Sequence, residues 1–146
     1  MVQLSPNFSL VEMTRSNTAA RRGLDNTPPR VTLEVLRQTA KKMELVRTIC
    51  GNRAITVFSG YRSPDVNAAV GGSANSDHVR GLAVDFIVKG LTVAETVEMI
   101  RESDLEFDQL IDEFSGWVHI GFGTRNRRQV LKARRIGGRT VYNVTE

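Results

Sequence analysis

The stretch Ser76-Asp77-His78-Val79-Arg80-Gly81-Leu82-Ala83-Val84-Asp85-Phe86-Ile87-Val88 decides how this chain is organised. Its second half, residues 82–88, is a short apolar run of strand length. Side chains alternate along a strand, so the even-numbered residues share one apolar face and Asp85 lies on the other. His78 lies in the loop that enters the strand. The stretch therefore predicts a rigid element that presents a carboxylate close to an imidazole.

The second histidine, His119, lies in a segment that predicts a strand of its own. Residues 107–114 and 117–122 are typical of two strands joined at Ser115-Gly116, an antiparallel hairpin. A hairpin strand paired beside residues 82–88 would bring His119 towards His78 and Asp85. Two imidazoles and a carboxylate can bind zinc and leave a fourth position for water, as in catalytic zinc sites. The His-x6-Asp spacing alone is a weak pattern.

The remaining segments alternate between helices and strands. Apolar residues at spacings of three and four predict a long helix over residues 33–50, and residues 54–58 predict a buried strand. The segment that leads to Pro28-Pro29 is expected to be irregular. Three short helices are indicated by capping residues: Ser9, Ser63 and Thr92. We therefore expect an α+β fold, with a small antiparallel sheet flanked by helices, in one domain spanning residues 1–146.

Composition excludes several classes of protein. No apolar stretch is long enough to span a membrane, and a single cysteine, Cys50, permits no internal disulfide. The first residues lack the basic start and apolar run of a secretory signal, so we expect the chain to be made in a host cytoplasm without a signal peptide.

Positive charge is concentrated near the carboxyl end. Residues 1–114 hold 13 Lys and Arg against 15 Asp and Glu, a net −2, whereas residues 115–146 hold 7 against 1, a net +6. The basic residues of this end are Arg125, Arg127, Arg128, Lys132, Arg134, Arg135 and Arg139. Such a segment is either a solvated face or a contact for an anionic cell-wall polymer. No aromatic residues interleave with the arginines, so we do not expect nucleic-acid binding.

An ordered set of motifs surrounds the two histidines. The motifs are Ser59-Gly60-Tyr61-Arg62-Ser63-Pro64, Asn67, Val70-Gly71-Gly72, Ser76-x-His78-x-x-Gly81-x-Ala83-x-Asp85, Asp108-Gln109-Leu110-Ile111-x-Glu113 and Trp117-Val118-His119. Together they resemble the zinc peptidoglycan peptidases of the D-Ala-D-Ala carboxypeptidase group, which includes Van-type dipeptidases and phage endolysins that cut the L-alanyl-D-glutamate bond. Similarity is greatest to the compact phage and prophage branch, which shares a segment like residues 4–10 and Asp25-Asn26-x-Pro28-Pro29.

The resemblance implies a Hedgehog/DD-peptidase-like fold and assigns roles to individual residues. One zinc ion would be held by His78, Asp85 and His119. Arg62 would steady the substrate carbonyl as it becomes an oxyanion, and Ser76 would contact the substrate. Glu113 would be the base that removes a proton from water activated by the zinc.

Hairpin geometry leaves a choice between Glu113 and Asp112 for this base. If Ser115-Gly116 were a strict two-residue loop, Asp112 would lie opposite His119 and Glu113 would point to the other side of the sheet. A three-residue loop or a bulge would instead place Glu113 on the same face of the sheet as His119. The resemblance favours Glu113.

The function that the resemblance implies is a zinc metallopeptidase that hydrolyses stem or cross-link peptides of peptidoglycan. We expect a monomeric phage or prophage endolysin that reaches the wall after the membrane is permeabilised, or an enzyme carried in the virion. One alternative is a host D,D-carboxypeptidase or dipeptidase, which would trim terminal D-alanine. Another is a non-catalytic wall-binding or virion structural module.

Overall fold

A six-stranded sheet dominates the fold. The computed structural model describes residues 2–145. Two short strands near the amino end, β1 (Gln3–Ser5) and β2 (Phe8–Ser9), form a separate antiparallel pair. The large sheet contains β3 (Ile55–Ser59), β4 (Ala83–Val88), β5 (Gln109–Glu113), β6 (Trp117–Gly121), β7 (Gln129–Ile136) and β8 (Arg139–Val144). Their spatial order is β3-β4-β6-β5-β7-β8.

Five helices accompany the strands in the described residues. They are α1 (Leu10–Thr14), α2 (Asn17–Arg22), α3 (Arg30–Ile49), α4 (Pro64–Ala69) and α5 (Val93–Arg101). The capping boxes predicted at Ser9 and Thr92 are both present. None of the helices within residues 2–145 is long and apolar enough to cross a membrane.

The α+β class is confirmed, and the sheet is larger than expected. Every neighbouring pair is antiparallel except β5 and β7, which run parallel. The two additional strands, β7 and β8, lie in the basic segment, where frequent charged residues hide the strand alternation.

The segment predicted to be irregular before Pro28-Pro29 contains α2, so that prediction was wrong. The Ser16 side chain accepts a hydrogen bond from the Ala19 N–H at the start of this helix, and Gly23 ends it at φ 64°. Because the helix has only six residues, it is too short to show a periodic apolar stripe, and its caps are its main signal.

The two faces of the large sheet have different partners. One face forms the core with α3 and α5, and includes fully buried Phe86 and Ile120 packed with Leu36 and Met43. The alternation expected along β4 is confirmed, because Val84 and Phe86 are fully buried in this core, whereas Asp85 is turned away from it. The opposite face therefore carries the polar side chains of the site.

Candidate metal centre and active-site cleft

Neighbouring strands bring Asp85 and His119 face to face. In the antiparallel register of β4 and β6 the two residues lie directly opposite each other, and Oδ1 of Asp85 is 2.8 Å from Nδ1 of His119. His78 approaches from the loop before β4, with its Nε2 3.3 Å from the same oxygen. The ligand atoms of the three residues all lie within 4.8 Å of one another. The sheet register and one loop therefore assemble the predicted set.

The orientation of His78 is fixed by the turn around Gly60. Nδ1 of His78 is 2.7 Å from the Gly60 carbonyl oxygen, which can only accept, so the proton belongs on Nδ1 and the lone pair of Nε2 faces the site. In return, the Arg62 N–H donates to the His78 carbonyl at 3.1 Å. A side chain at Gly60 would collide with the Met13 carbonyl oxygen. Glycine is therefore required for this close approach.

Mutual attraction dominates the electrostatics of the three side chains. Burial disfavours the Asp85 carboxylate, but the facing His78 and His119 outweigh this cost and hold the pKa of Asp85 below its usual range. Burial likewise opposes protonation of His119, yet its hydrogen bond with Asp85 and the charge of that carboxylate raise the His119 pKa. A negative centre thus faces two imidazoles.

The donor set fits zinc. Two imidazole nitrogens and one carboxylate oxygen are ligands found in zinc sites that keep a position open. His78 is buried, whereas Asp85 and His119 are partly exposed in an open cleft that all three line. The carbonyl acceptor behind His78 is also the kind of outer contact that orients zinc-binding histidines.

The β5–β6 turn decides which acid faces the metal ligands. Its loop has three residues, because Glu113 pairs with Trp117 and Ile111 pairs with His119. Glu113 therefore shares the face of Asp85 and His119 and lines the cleft. Burial raises its pKa, an effect that the charge of His119 partly opposes.

Asp112 points to the other face and has a different partner. Its Oδ1 accepts a hydrogen bond from the Ser115 N–H at 2.8 Å inside the turn. Phe114 and Ser115 adopt positive φ values of 59° and 58°. The structure thus brings Glu113, and not Asp112, to the candidate metal centre.

Arg62 lines the same cleft from the turn after β3. Its pKa is lowered by burial, although the charge of Asp85 opposes this. Its Nε is buried without a hydrogen-bond partner in the described residues. Within residues 2–145 its guanidinium forms no ion pair, so the charge is free to interact with a carbonyl or anionic oxygen in the cleft.

Ser76 also lines the cleft, but its hydroxyl is already engaged. Its Oγ accepts a hydrogen bond from the His78 N–H at 3.2 Å, so the residue helps to shape the loop that carries this histidine. The hydroxyl hydrogen remains able to donate to a substrate.

Comparison with known proteins agrees with this geometry. The family model described as Peptidase M15 matches residues 6–121. The chain belongs to the M15 peptidase family. Among curated proteins, the zinc D-Ala-D-Ala carboxypeptidase of Streptomyces albus G is 34% identical over 84 residues, which cover 55% of this chain and 31% of that relative. The chain therefore matches less than a third of the length of that relative.

Several residues of the cleft were not identified from the sequence. Asp77 lines it beside His78, and Leu131, Arg135, Thr140 and Tyr142 line it from β7 and β8. Buried Asp108 holds Arg127 through two side-chain contacts of 2.8 and 3.0 Å. Asp108 belongs to the motif Asp108-Gln109-Leu110-Ile111-x-Glu113. Its pairing with Arg127 could not be predicted, because the two residues are 19 positions apart and no local sequence pattern indicates the contact.

Proposed function

We propose that this protein is a zinc-dependent peptidase that acts on stem or cross-link peptides of peptidoglycan. The observation that carries the proposal is the convergence of His78, Asp85 and His119 on one sheet face, with Glu113 on the same face and Arg62 in the same cleft. A wall-binding module without activity would need neither a base nor an arginine without an ion-pair partner there.

Each residue has a separate task in hydrolysis. His78, Asp85 and His119 would hold the zinc ion, which would supply a lowered pKa for water and polarisation of a carbonyl. Glu113 accepts a proton from the attacking water and passes it to the departing amine. Arg62 donates to the carbonyl oxygen as negative charge develops on it.

The substrate class is supported by the relative and by the shape of the site. The relative of Streptomyces albus G is named for D-Ala-D-Ala, and the cleft, of about 1220 Å³, is open to solvent. An open cleft can admit an internal peptide bond, and the motifs resemble the compact phage branch. We therefore infer a phage or prophage lytic endopeptidase. The name of the relative favours a second candidate, a D,D-carboxypeptidase.

Mass spectrometry of products from purified peptidoglycan separates these activities. The zinc-loaded protein should release soluble fragments with new peptide termini, and a chelator should abolish their release. Free D-alanine as the sole product would support the carboxypeptidase. If zinc-loaded protein of verified fold and metal content gives no metal-dependent product, the peptidase proposal is wrong.

The basic segment has a more limited role than its composition suggests. Arg127 is paired with Asp108, and Arg128 donates to the Ser103 carbonyl at 2.9 Å and lies over the Phe107 ring. These two arginines hold the segment in place. We propose that attraction to an anionic wall polymer comes from two cations of the β7–β8 hairpin, Lys132 and Arg139.

A further inference from the structure

The β7–β8 hairpin forms a wall of the cleft on the side of Glu113. In the parallel pair, Glu113 lies beside Ala133, and Ala133 lies opposite Tyr142 on β8. Because side chains of aligned residues share a face, Tyr142 lies on the face that carries Glu113. Arg135, two residues after Ala133, lies on that face also, opposite Thr140.

This wall is anchored to the rest of the sheet. Ile111, Leu131 and Ala133 form a small buried cluster on the site face, separate from the main core. The connection that leads into β7 is held by the paired Arg127 and Asp108. These contacts therefore hold the hairpin in a fixed position beside the cleft.

Ala133 leaves space between Glu113 and Tyr142. The three residues form a row across β5, β7 and β8, and Ala133 is the middle one. Because its side chain is a methyl group, no large side chain stands between Glu113 and Tyr142. Burial raises the pKa of Tyr142, and the charges of Glu113 and Asp85 add to this effect. The phenol thus lies within electrostatic reach of the acidic centre, while about half of its surface remains exposed (52%).

Arg135 places a positive charge beyond the acidic centre. Within residues 2–145 no carboxylate lies within 4.0 Å of its guanidinium, which instead lies 5.9 Å from the centre of the Phe114 ring. Arg135 therefore offers an anionic group a free positive charge at the far wall of the cleft. A planar guanidinium is suited to bind a carboxylate.

We propose that Arg135, assisted by the Tyr142 hydroxyl, binds a carboxylate of the stem peptide and so selects which peptides the cleft accepts. This inference rests on the proposed function, because the peptide must be bound across the metal centre. Both residues lie beyond residue 121, where the family match ends. The two residues therefore lie outside the part of the chain that the family model matches.

The test compares Arg135→Gln with Arg134→Gln. Arg134 lies next to Arg135 on β7 but on the other face, opposite Val141, so both variants lose one charge from the same strand. The substrates are soluble muropeptides in which each free carboxylate is amidated in turn. For the peptide with all carboxylates free, Arg135→Gln should raise KM by roughly 10–100-fold with kcat little changed, the range for a charge-assisted hydrogen bond.

Amidation of the one carboxylate that Arg135 binds should remove the difference in KM between wild type and Arg135→Gln. Wild type and Arg135→Gln should then have the same KM, and Tyr142→Phe should show a smaller change of the same kind. Arg134→Gln should behave as wild type on every peptide. Equal KM changes in the two arginine variants, or none in either, would overturn the carboxylate site while leaving the peptidase activity intact.

Binding measurements keep the two proposals separable. If the wild type cleaves none of the peptides, the proposed function fails, and calorimetry of the same peptides with zinc-loaded protein decides the inference. Weaker binding in Arg135→Gln alone, removed by one amidation, would uphold it. Identical binding by all variants would reject it. Thermal unfolding of each variant checks that its fold is retained.

Discussion

Adjacent residues with the same charge have opposite surroundings in the β5–β6 turn. Glu113 faces the cleft with His119, whereas Asp112 holds the Ser115 N–H on the other side of the strand. One position along a strand exchanges the two faces of a sheet. Substitution of Glu113 should therefore affect catalysis, whereas substitution of Asp112 should affect the stability of the fold.

Glu113→Gln should lower kcat by roughly 10²–10⁴-fold, the usual contribution of a positioned acid or base, while zinc content and thermal stability stay near those of wild type. Asp112→Asn is the matched control. It should cost about 1 kcal/mol of stability through the weakened turn and retain most of the turnover. Near-normal kcat in zinc-loaded Glu113→Gln would exclude this residue as the base.

Asp108 is a second residue whose charge has a defined structural partner. Its hydrogen bonds from the Arg127 side chain, more than the opposing effect of burial, lower its pKa in the folded protein. A lowered pKa contributes stability above the unfolded value of about 3.9 and loses that contribution as pH falls through the folded value.

Asp108→Asn should therefore destabilise the metal-free protein by about 1–2 kcal/mol at neutral pH, a modest amount because Arg127 is partly exposed. The difference from wild type should stay constant down to about pH 5 and shrink towards pH 3. Urea unfolding at several pH values measures it, with exposed Asp104→Asn as the control. A difference that does not change with pH would contradict this explanation.

At the scale of elements, the turn after β3 joins the metal site to the amino-terminal region. The Asn26 side chain donates to the carbonyls of Thr14 at 2.7 Å and Tyr61 at 3.1 Å, and accepts from the Ser63 N–H at 2.7 Å. Arg62 lies between the last two of these residues. A side chain distant in sequence thus holds the turn that carries the guanidinium.

Asn26→Ala removes all three hydrogen bonds and should cost about 1–3 kcal/mol of stability. It should also lower kcat/KM, because Arg62 loses its fixed position, while bound zinc is retained. Asn26→Asp keeps the acceptor for Ser63 but places a carboxylate oxygen against the carbonyl oxygens of Thr14 and Tyr61, so it should be at least as destabilising as Asn26→Ala. Thermal unfolding, kinetics and metal analysis measure these changes. An active site unaffected by Asn26→Ala would show that the turn is held by other contacts.

Elements with strong local signals could be predicted from the sequence. The long helix, the capping boxes and the alternation of β4 follow from nearby residues, and so does the placement of Asp85. The face of the sheet on which Glu113 lies could not be derived from the sequence. It depends on the length of a loop in which Phe114 adopts a positive φ of 59°, a conformation that bulky residues rarely adopt. The pairing of β7 with β5 is non-local, and its cleft residues were missed for that reason.

At the scale of the whole molecule, charge is divided between the site and the hairpin. The acidic centre lies on β4 and β5, whereas the cations without a structural partner described above lie on β7 and near the start of β8. This concentration of positive charge on the hairpin would orient the protein towards an anionic polymer during encounter.

Binding to purified walls should therefore weaken strongly between low and physiological salt, since exposed charges are screened over about 10 Å at 0.1 M. Replacing Lys132 and Arg139 with Gln should reduce both the binding and its salt dependence. A sedimentation assay with inactive Glu113→Gln protein measures this without wall degradation. Salt-insensitive binding would remove the electrostatic explanation.

The register between β4 and β6 also limits how the chain can change in length. Asp85 and His119 face each other because both strands keep an uninterrupted alternation. A deletion of one residue inside either strand would turn a ligand into the apolar core. The Gly137-Gly138 turn has no such constraint, since it lies at the end of the hairpin and opposes no ligand. Insertions and deletions among descendants of this sequence should therefore accumulate at that tip, while the strands that hold the metal ligands keep their length.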